Sequence, residues 1–210
     1  MKKAFIIMSA LTMGLVGCAN DDIKNNPLVA EWNTPYQTPP FSQIKLEHYE
    51  PAIDYAIAEN RAEVEAIINN PEAPTFENTI VAMEQAGGLL SRVTGLFFVL
   101  NNCSTSPEMQ QIALNITPKL TELSNDIALN PELFARVQVV YDQRESLDLD
   151  VEDRMRVETT YKGFARSGAL LEGKDQELYR QYTTELSQLT LEFGQNALAA
   201  TNAFTLNITD

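Results

Sequence analysis

Side chains that could do chemistry are few in this sequence, and histidine is the scarcest. His48 is the one histidine among 210 residues. A catalytic zinc site of the His-Glu-x-x-His type needs two imidazoles one helical turn apart, with the glutamate between them activating water. Two imidazole ligands cannot come from one histidine. We therefore predict no metal ligand and no catalytic residue in this chain, and we interpret His48 as a packing or capping residue.

Residues 1–17 have the form of a secretory signal. Lys2 and Lys3 precede the apolar run Ala4–Val16, which is too short to span a membrane. The run ends in Leu15-Val16-Gly17-Cys18, which resembles the bacterial lipobox. That resemblance implies that the Cys18 thiol receives a diacylglycerol and becomes the first mature residue. The alternative is an ordinary signal peptide in which Cys18 occurs by chance.

A lipid on Cys18 would anchor the protein to a membrane of the cell envelope. We accordingly expect a lipoprotein on the periplasmic or surface face, with residues 18–26 as the linker from the anchor. Cys103 would then lack a partner for a disulfide within the chain. Because it follows the apolar run Leu96–Leu100, we expect it to be a small buried residue.

Other groups that could bind a ligand fit structural roles better. Glu63 and Glu65 are two positions apart and would not face each other on a helix. The acidic cluster that begins at Asp148 lacks the glycine and the closing glutamate of a calcium loop, so we assign it to a loop and a helix cap. The pair Gly87-Gly88 has no preceding strand and no following Lys-Ser/Thr, which favours a close helix crossing over a phosphate loop.

The composition excludes several partners. The formal charge is −14, with 29 acidic and 15 basic residues, which argues against binding to nucleic acid or to anionic membrane surfaces. Apolar residues make up 44% of the chain, enough for a substantial core. A well-solvated acidic surface is a better interpretation of the charge than a site for a cationic ligand.

The strongest periodic signal lies between Lys174 and Phe204. Apolar residues recur there at steps of three and four, which predicts one long helix with an apolar stripe. Its members are Leu178, Tyr182, Leu186, Leu189, Phe193, Ala197, Ala200 and Phe204. Such a stripe should be covered by the other helices. Gly194 would lower helix stability by about 1 kcal/mol, so we expect close packing at that point.

Earlier segments predict the covering helices. The first should begin near Glu47 and end before Asn69, and a second should run from the N-cap Thr75 to about Leu100 with Gly87-Gly88 inside it. Three further helices should begin after Ser106, Asn130 and Asp150, and Gly168 should close the last of them. Pro118 should kink or split the helix that contains it.

The predicted fold is an all-α, multi-helix bundle with a long C-terminal helix and an extended, proline-rich N-terminal arm. Residues 25–42 contain four prolines, which favour an extended chain. We expect Trp32, Tyr36 and Phe41 to dock in grooves of the bundle.

An ordered series of motifs resembles the start of the M3 family of zinc metallopeptidases, in its peptidyl-dipeptidase and oligopeptidase A branch. The series extends over about residues 26–208. It comprises Asn26-Pro27-Leu28, Glu31–Tyr36, Pro39-Pro40-Phe41, Ile44–Ala52, Asn70–Ile80, Leu133–Val137, Tyr161-Lys162, Arg166–Ala169, Phe193–Asn196 and Thr201–Phe204.

This resemblance implies that residues 27–210 are the helical N-terminal domain of a longer peptidase, without its catalytic zinc domain. By the same resemblance, the complete enzyme binds zinc, admits short peptides into a channel and releases C-terminal dipeptides. The chain would form one wall of that channel, would need the missing C-terminal catalytic half as its partner, and would be inactive alone. The alternative is a stand-alone helical surface lipoprotein that binds peptides or a protein.

Overall fold

The computed structural model describes residues 23–207, and helices form most of this range. Two short 3₁₀ turns, Pro35–Gln37 and Leu46–His48, precede the bundle. The helices are α1 (Tyr49–Ile68), a π-helical turn (Phe76–Val81) leading into α2 (Ala82–Gln85), α3 (Gly88–Cys103), α4 (Pro107–Ala128), α5 (Pro131–Gln143), α6 (Val151–Arg166) and α7 (Gly173–Ala203). No strand occurs within residues 23–207, so the all-α prediction with a long C-terminal helix is confirmed.

The helices begin where short polar side chains can cap them. Each of the four predicted caps accepts a hydrogen bond from the backbone N–H three residues later. The oxygen–nitrogen distances are 3.1 Å at Thr75, 3.2 Å at Ser106, 2.8 Å at Asn130 and 2.8 Å at Asp150. The predicted helix starts at these positions are therefore confirmed.

The predicted second helix is interrupted at Gly87. Gly87 has a φ of +77°, which ends α2 and opens α3, so the expectation of one helix from Phe76 to Leu100 is wrong. A Cβ at Gly87 would lie 2.7 Å from the Asn60 Nδ2 atom, and the Gly87 N–H donates to the Glu63 carboxylate at 2.6 Å. The expected close approach between helices is real, but it occurs at a turn rather than inside a helix.

Pro118 does not divide its helix. α4 is continuous from Pro107 to Ala128, so of the two expected effects, a kink or a split, the split does not occur. Pro118 removes one backbone donor, and side-chain hydroxyls bond nearby carbonyls: Thr117 donates to Ala113 O at 2.7 Å and Thr121 to Thr117 O at 3.0 Å. Because α4 packs against both α1 and α7, tertiary contacts hold it together through the proline.

Two buried clusters form the core. The first joins the N-terminal arm to α1, α3 and α4, and its fully buried residues include Leu28, Ile53, Phe97 and Ile116. The second joins the C-terminal end of α1 and the π-helical turn to α5 and α6, and it includes Ile80, Leu133, Val137 and Val157. Ile127 of α4 packs against both clusters.

The N-terminal arm is extended only in short stretches, because turns occupy residues 25–30 and a 3₁₀ turn occupies Pro35–Gln37; the prediction of an extended arm is therefore only partly met, and most of the aromatic rings of the arm are not docked. Trp32 alone among the three is held: its indole N–H donates to Pro27 O at 2.8 Å, and the Arg92 guanidinium lies 4.8 Å from its ring centre. Tyr36 is 99% exposed and Phe41 is 58% exposed. The expectation that these two rings occupy grooves is therefore wrong.

None of the helices within residues 23–207 combines the length and the apolar character required to cross a bilayer.

Candidate functional site: the outward face of the long helix

The predicted apolar stripe of α7 faces solvent. Five large side chains on it are exposed: Leu178 (43%), Tyr182 (61%), Leu186 (64%), Leu189 (54%) and Phe193 (75%). Phe204, which follows the helix, is 75% exposed. The expectation that other helices of this chain cover the stripe is therefore wrong. We refer to these six side chains as the apolar stripe.

α7 packs against α4 through its opposite, mostly polar face. Thr183 and Asn125 exchange two side-chain hydrogen bonds, at 2.9 and 3.1 Å. The Gln176 side chain donates to Leu129 O at 3.4 Å, and Leu191 adds an apolar contact to the first core cluster. α4 presents polar groups along this face, and polar side chains of α7 form hydrogen bonds with them. The apolar stripe of α7 therefore points away from the bundle.

Asp126 on α4 joins three helices. Its carboxylate accepts a hydrogen bond from Arg61 of α1 at 2.5 Å and one from Arg180 of α7 at 2.7 Å. Partial burial alone would raise the pKa of Asp126, but the two arginines outweigh that effect and hold the pKa below its ordinary value. This ion pair network fixes the rotation of α7 about its axis.

Gly194 contradicts the expected close packing. Apart from the backbone of its own helix and its chain neighbours, no atom lies within 4 Å of the position that a Cβ would occupy at Gly194. Because Gly194 follows Phe193 on the solvent side of α7, nothing in the described chain approaches it closely.

The charges beside the apolar stripe are acidic. Glu185 and Glu192 are exposed and seven positions apart, so they follow the same side of the stripe. The sequence from Gln181 to Ala203 contains no lysine or arginine. The stripe is thus an apolar surface with an acidic border.

A second concave surface lies between α1, α3 and α4. It is an open groove of about 550 Å³ with an apolar lining that includes Val64, Leu90, Phe98 and Leu120. Gly87 and the α3 residues Ser91 and Gly95 lie on its wall and keep the approach open.

The residues singled out for chemistry have structural surroundings. His48 Nδ1 accepts a hydrogen bond from the Lys45 N–H at 3.1 Å, which confirms the predicted capping role. Cys103, by contrast, is exposed, so the prediction of burial is wrong. It ends α3 four positions after Val99, which is 59% exposed, and the two share the outward face of that helix.

The remaining candidates bring no metal site together. Within residues 23–207 no three side chains of the His, Cys, Asp and Glu types converge so as to hold a metal ion. Glu63 bonds the Gly87 turn, and Asp150 caps α6. These residues do not fit a zinc site. Cys18 and its proposed lipid lie outside the described residues.

Two arginines that sequence reasoning missed hold the segments that carry the family-like motifs. Arg92 Nη2 donates to the carbonyls of Leu28 and Val29 at 3.1 and 2.9 Å and so holds the arm on the bundle. Arg136 donates to Asn70 O at 3.0 Å and to Asn78 Oδ1 at 3.1 Å.

The position of Arg136 in the sequence is the signal from which its burial could have been predicted. It follows Leu133 by three residues and precedes Val137, which places a charge on the buried face of α5. A buried guanidinium needs fixed acceptors, and the loop from Asn70 to Asn78 supplies them. These motif residues therefore have a structural role, since they hold the loop from Asn70 to Asn78 against α5.

Comparison with known proteins shows that the chain is homologous to peptidases. No family model matches the sequence. The dipeptidyl carboxypeptidase of Salmonella typhimurium is 43% identical over 188 residues, which are 90% of this chain and 28% of that protein. The protein of the same name from Escherichia coli K12 is also 43% identical, over 185 residues.

A second group of relatives has a different name. Oligopeptidase A of Salmonella typhimurium is 30% identical over 185 residues, 88% of this chain and 27% of that protein. The chain thus spans little more than a quarter of the length of these curated relatives. Both names agree with the peptidase family that the ordered motifs resemble.

Proposed function

We propose that this chain is the N-terminal, non-catalytic part of a zinc peptidyl-dipeptidase. The observation that carries the proposal is the 43% identity to dipeptidyl carboxypeptidase over 90% of this chain but only 28% of the relative. The single histidine of the sequence supports it, because a His-Glu-x-x-His site must then be supplied by another part of the polypeptide. Short peptides are the proposed substrates of the whole enzyme, and zinc is its proposed cofactor.

In this proposal the helical bundle forms one wall of the substrate channel. The apolar stripe and the groove between α1, α3 and α4 support a role as one side of a larger assembly, since both leave apolar surface exposed. The bundle contributes shape and exclusion, and the catalytic half contributes the metal and the base.

The experiment measures hydrolysis of a blocked oligopeptide. The purified chain should release no dipeptide and should bind no stoichiometric zinc. Joined to the relative's remaining polypeptide, it should release C-terminal dipeptides in a reaction that a chelator stops. Chelator-sensitive hydrolysis by the chain alone would contradict the proposal.

The location proposed for the chain is the cell envelope, through a lipid on Cys18. Replacing Cys18 by serine should move the protein from the membrane fraction to the soluble fraction and should abolish incorporation of labelled fatty acid. A Cys103→Ser variant should behave as the unaltered protein does. Membrane retention of the Cys18→Ser variant would contradict the anchor.

A stand-alone binding lipoprotein is the second candidate, favoured by the same exposed groove. The two candidates differ in the genomic sequence after the codon for Asp210. A continuous reading frame with a His-Glu-x-x-His motif supports the peptidase, and a natural stop codon without such a frame nearby supports the binding lipoprotein.

A further inference from the structure

We propose that the apolar stripe of α7 is the docking surface for the part of the peptidase polypeptide that, in the relatives, lies outside the region this chain matches. The inference rests on the proposed function and names the face through which the two parts meet. The stripe consists of side chains that are 43–75% exposed, on a helix that the bundle already holds by its other face.

The shape of the surface favours a long occupant. The apolar stripe runs from Leu178 to Phe204, and a helix rises 1.5 Å per residue, so it is roughly 40 Å long. A helix or helical hairpin laid along α7 can cover that length, whereas a bound dipeptide cannot. Apolar residues in adjoining turns also provide the ridge on which a second helix packs.

The charge of the surface argues against a second copy of this chain. Each copy has a formal charge of −14, and Glu185 and Glu192 border the stripe. Pairing two such faces would bring like charges together with no lysine or arginine between Gln181 and Ala203 to offset them. A partner helix with an apolar face and basic borders is complementary to this surface.

The length of the relatives identifies where that partner is encoded. The matched 188 residues are 28% of the Salmonella typhimurium dipeptidyl carboxypeptidase, so most of that protein lies outside the match. A contiguous exposed apolar surface marks an interaction site, and the rest of the peptidase is the polypeptide available to cover it.

Cysteine labelling tests the inference in two contexts. Leu189→Cys is introduced into the 210-residue chain and into a chimera in which this chain replaces the matched part of the Salmonella typhimurium enzyme. Labelling is followed by mass spectrometry of the peptide that contains residue 189. We expect the rate to fall at least about 100-fold in the chimera, because a buried thiol reacts only after local opening.

Val151→Cys is the matched control. Val151 is 84% exposed at the start of α6, away from the stripe, and its labelling rate should differ by less than about threefold between the two contexts. Equal protection at both positions, or none at residue 189, would overturn the assignment of this face.

The remaining outcomes separate this inference from the proposed function. A chimera that protects residue 189 but releases no dipeptide supports the docking surface and contradicts the peptidase role. A chimera that releases dipeptides but leaves residue 189 freely labelled supports the peptidase role and contradicts the docking surface. A tight dimer of the 210-residue chain that Leu186→Gln disrupts would also overturn the inference.

Discussion

Arg136 shows how a single buried charge can organise a segment of this protein. It is 8% exposed and donates to Asn70 O, Glu72 O and the Asn78 side chain. Asn78 in turn accepts from the Thr75 N–H at 2.8 Å and donates to Ala73 O at 2.9 Å. The guanidinium therefore fixes the loop that precedes the π-helical turn.

Replacing Arg136 by leucine should lower the free energy of unfolding by about 2–4 kcal/mol, because the partly buried acceptors of the Asn70–Asn78 loop lose their donor. Urea denaturation followed by circular dichroism measures the change. Arg166→Leu is the control: Arg166 is exposed at the end of α6, and its loss should cost about 0.5 kcal/mol. Equal costs for the two variants would contradict the role given to Arg136.

Asp126 makes part of the stability depend on pH. Its pKa is lowered in the folded protein, since the hydrogen bonds from Arg180 and Arg61 outweigh the effect of burial. A group with a lowered folded pKa contributes stability above its unfolded pKa of about 3.9 and loses that contribution as the pH falls through the folded pKa.

Asp126→Asn should therefore reduce stability by about 1 kcal/mol at pH 7, a modest value because all three side chains are partly exposed. The difference from the unaltered protein should shrink below about pH 4. Thermal unfolding across this pH range measures it. A constant difference at every pH would show that the loss does not come from the carboxylate charge.

At the scale of elements, the turn at Gly87 decides how α2 is followed by α3. The positive φ and the 2.7 Å approach of Asn60 both exclude a side chain there. Gly87→Ala should cost about 1–3 kcal/mol of stability. Gly88→Ala is the neighbouring control, since no atom lies within 4 Å of its Cβ, and it should be neutral or slightly stabilising. Chemical denaturation of both variants tests this contrast.

Helix starts could be predicted from the sequence, because capping is local. Thr75, Ser106, Asn130 and Asp150 each bond a backbone N–H three positions later. The break at Gly87 could not be predicted in the same way, because it depends on the approach of α1 from elsewhere in the chain.

The orientation of a helix face is also not a local property. Periodicity identified the side chains that share a face of α7, but not which face meets the bundle. The partners on α4 decide that, through Asn125 and Asp126. The same reason explains Cys103, whose apolar neighbourhood in sequence lies partly on the outward face of α3.

At the scale of the whole molecule, the two faces of α7 have different roles. The inner face packs against the bundle and stabilises this chain, whereas the outer face is in solvent and contributes little stability. Leu191 packs against the first core cluster, whereas Leu186, Leu189 and Phe193 are 64%, 54% and 75% exposed on the same helix. Side chains that stay in water contribute little to folding, because the hydrophobic gain requires burial. The two faces should therefore respond oppositely to the same chemical change.

We expect the triple variant Leu186→Gln, Leu189→Gln and Phe193→Gln to keep its melting temperature within about 2 °C of the unaltered chain. It should bind much less of a fluorescent apolar dye, since the exposed stripe is the surface that such a dye recognises.

Leu191→Gln, one residue on the inner face, should instead lower stability by about 1–3 kcal/mol, because it places an amide against the core cluster. Differential scanning fluorimetry and dye titration on the two variants give both readouts. A triple variant that melts well below the single Leu191→Gln variant would show that the stripe is buried within this chain, and that the outward orientation of α7 is wrong.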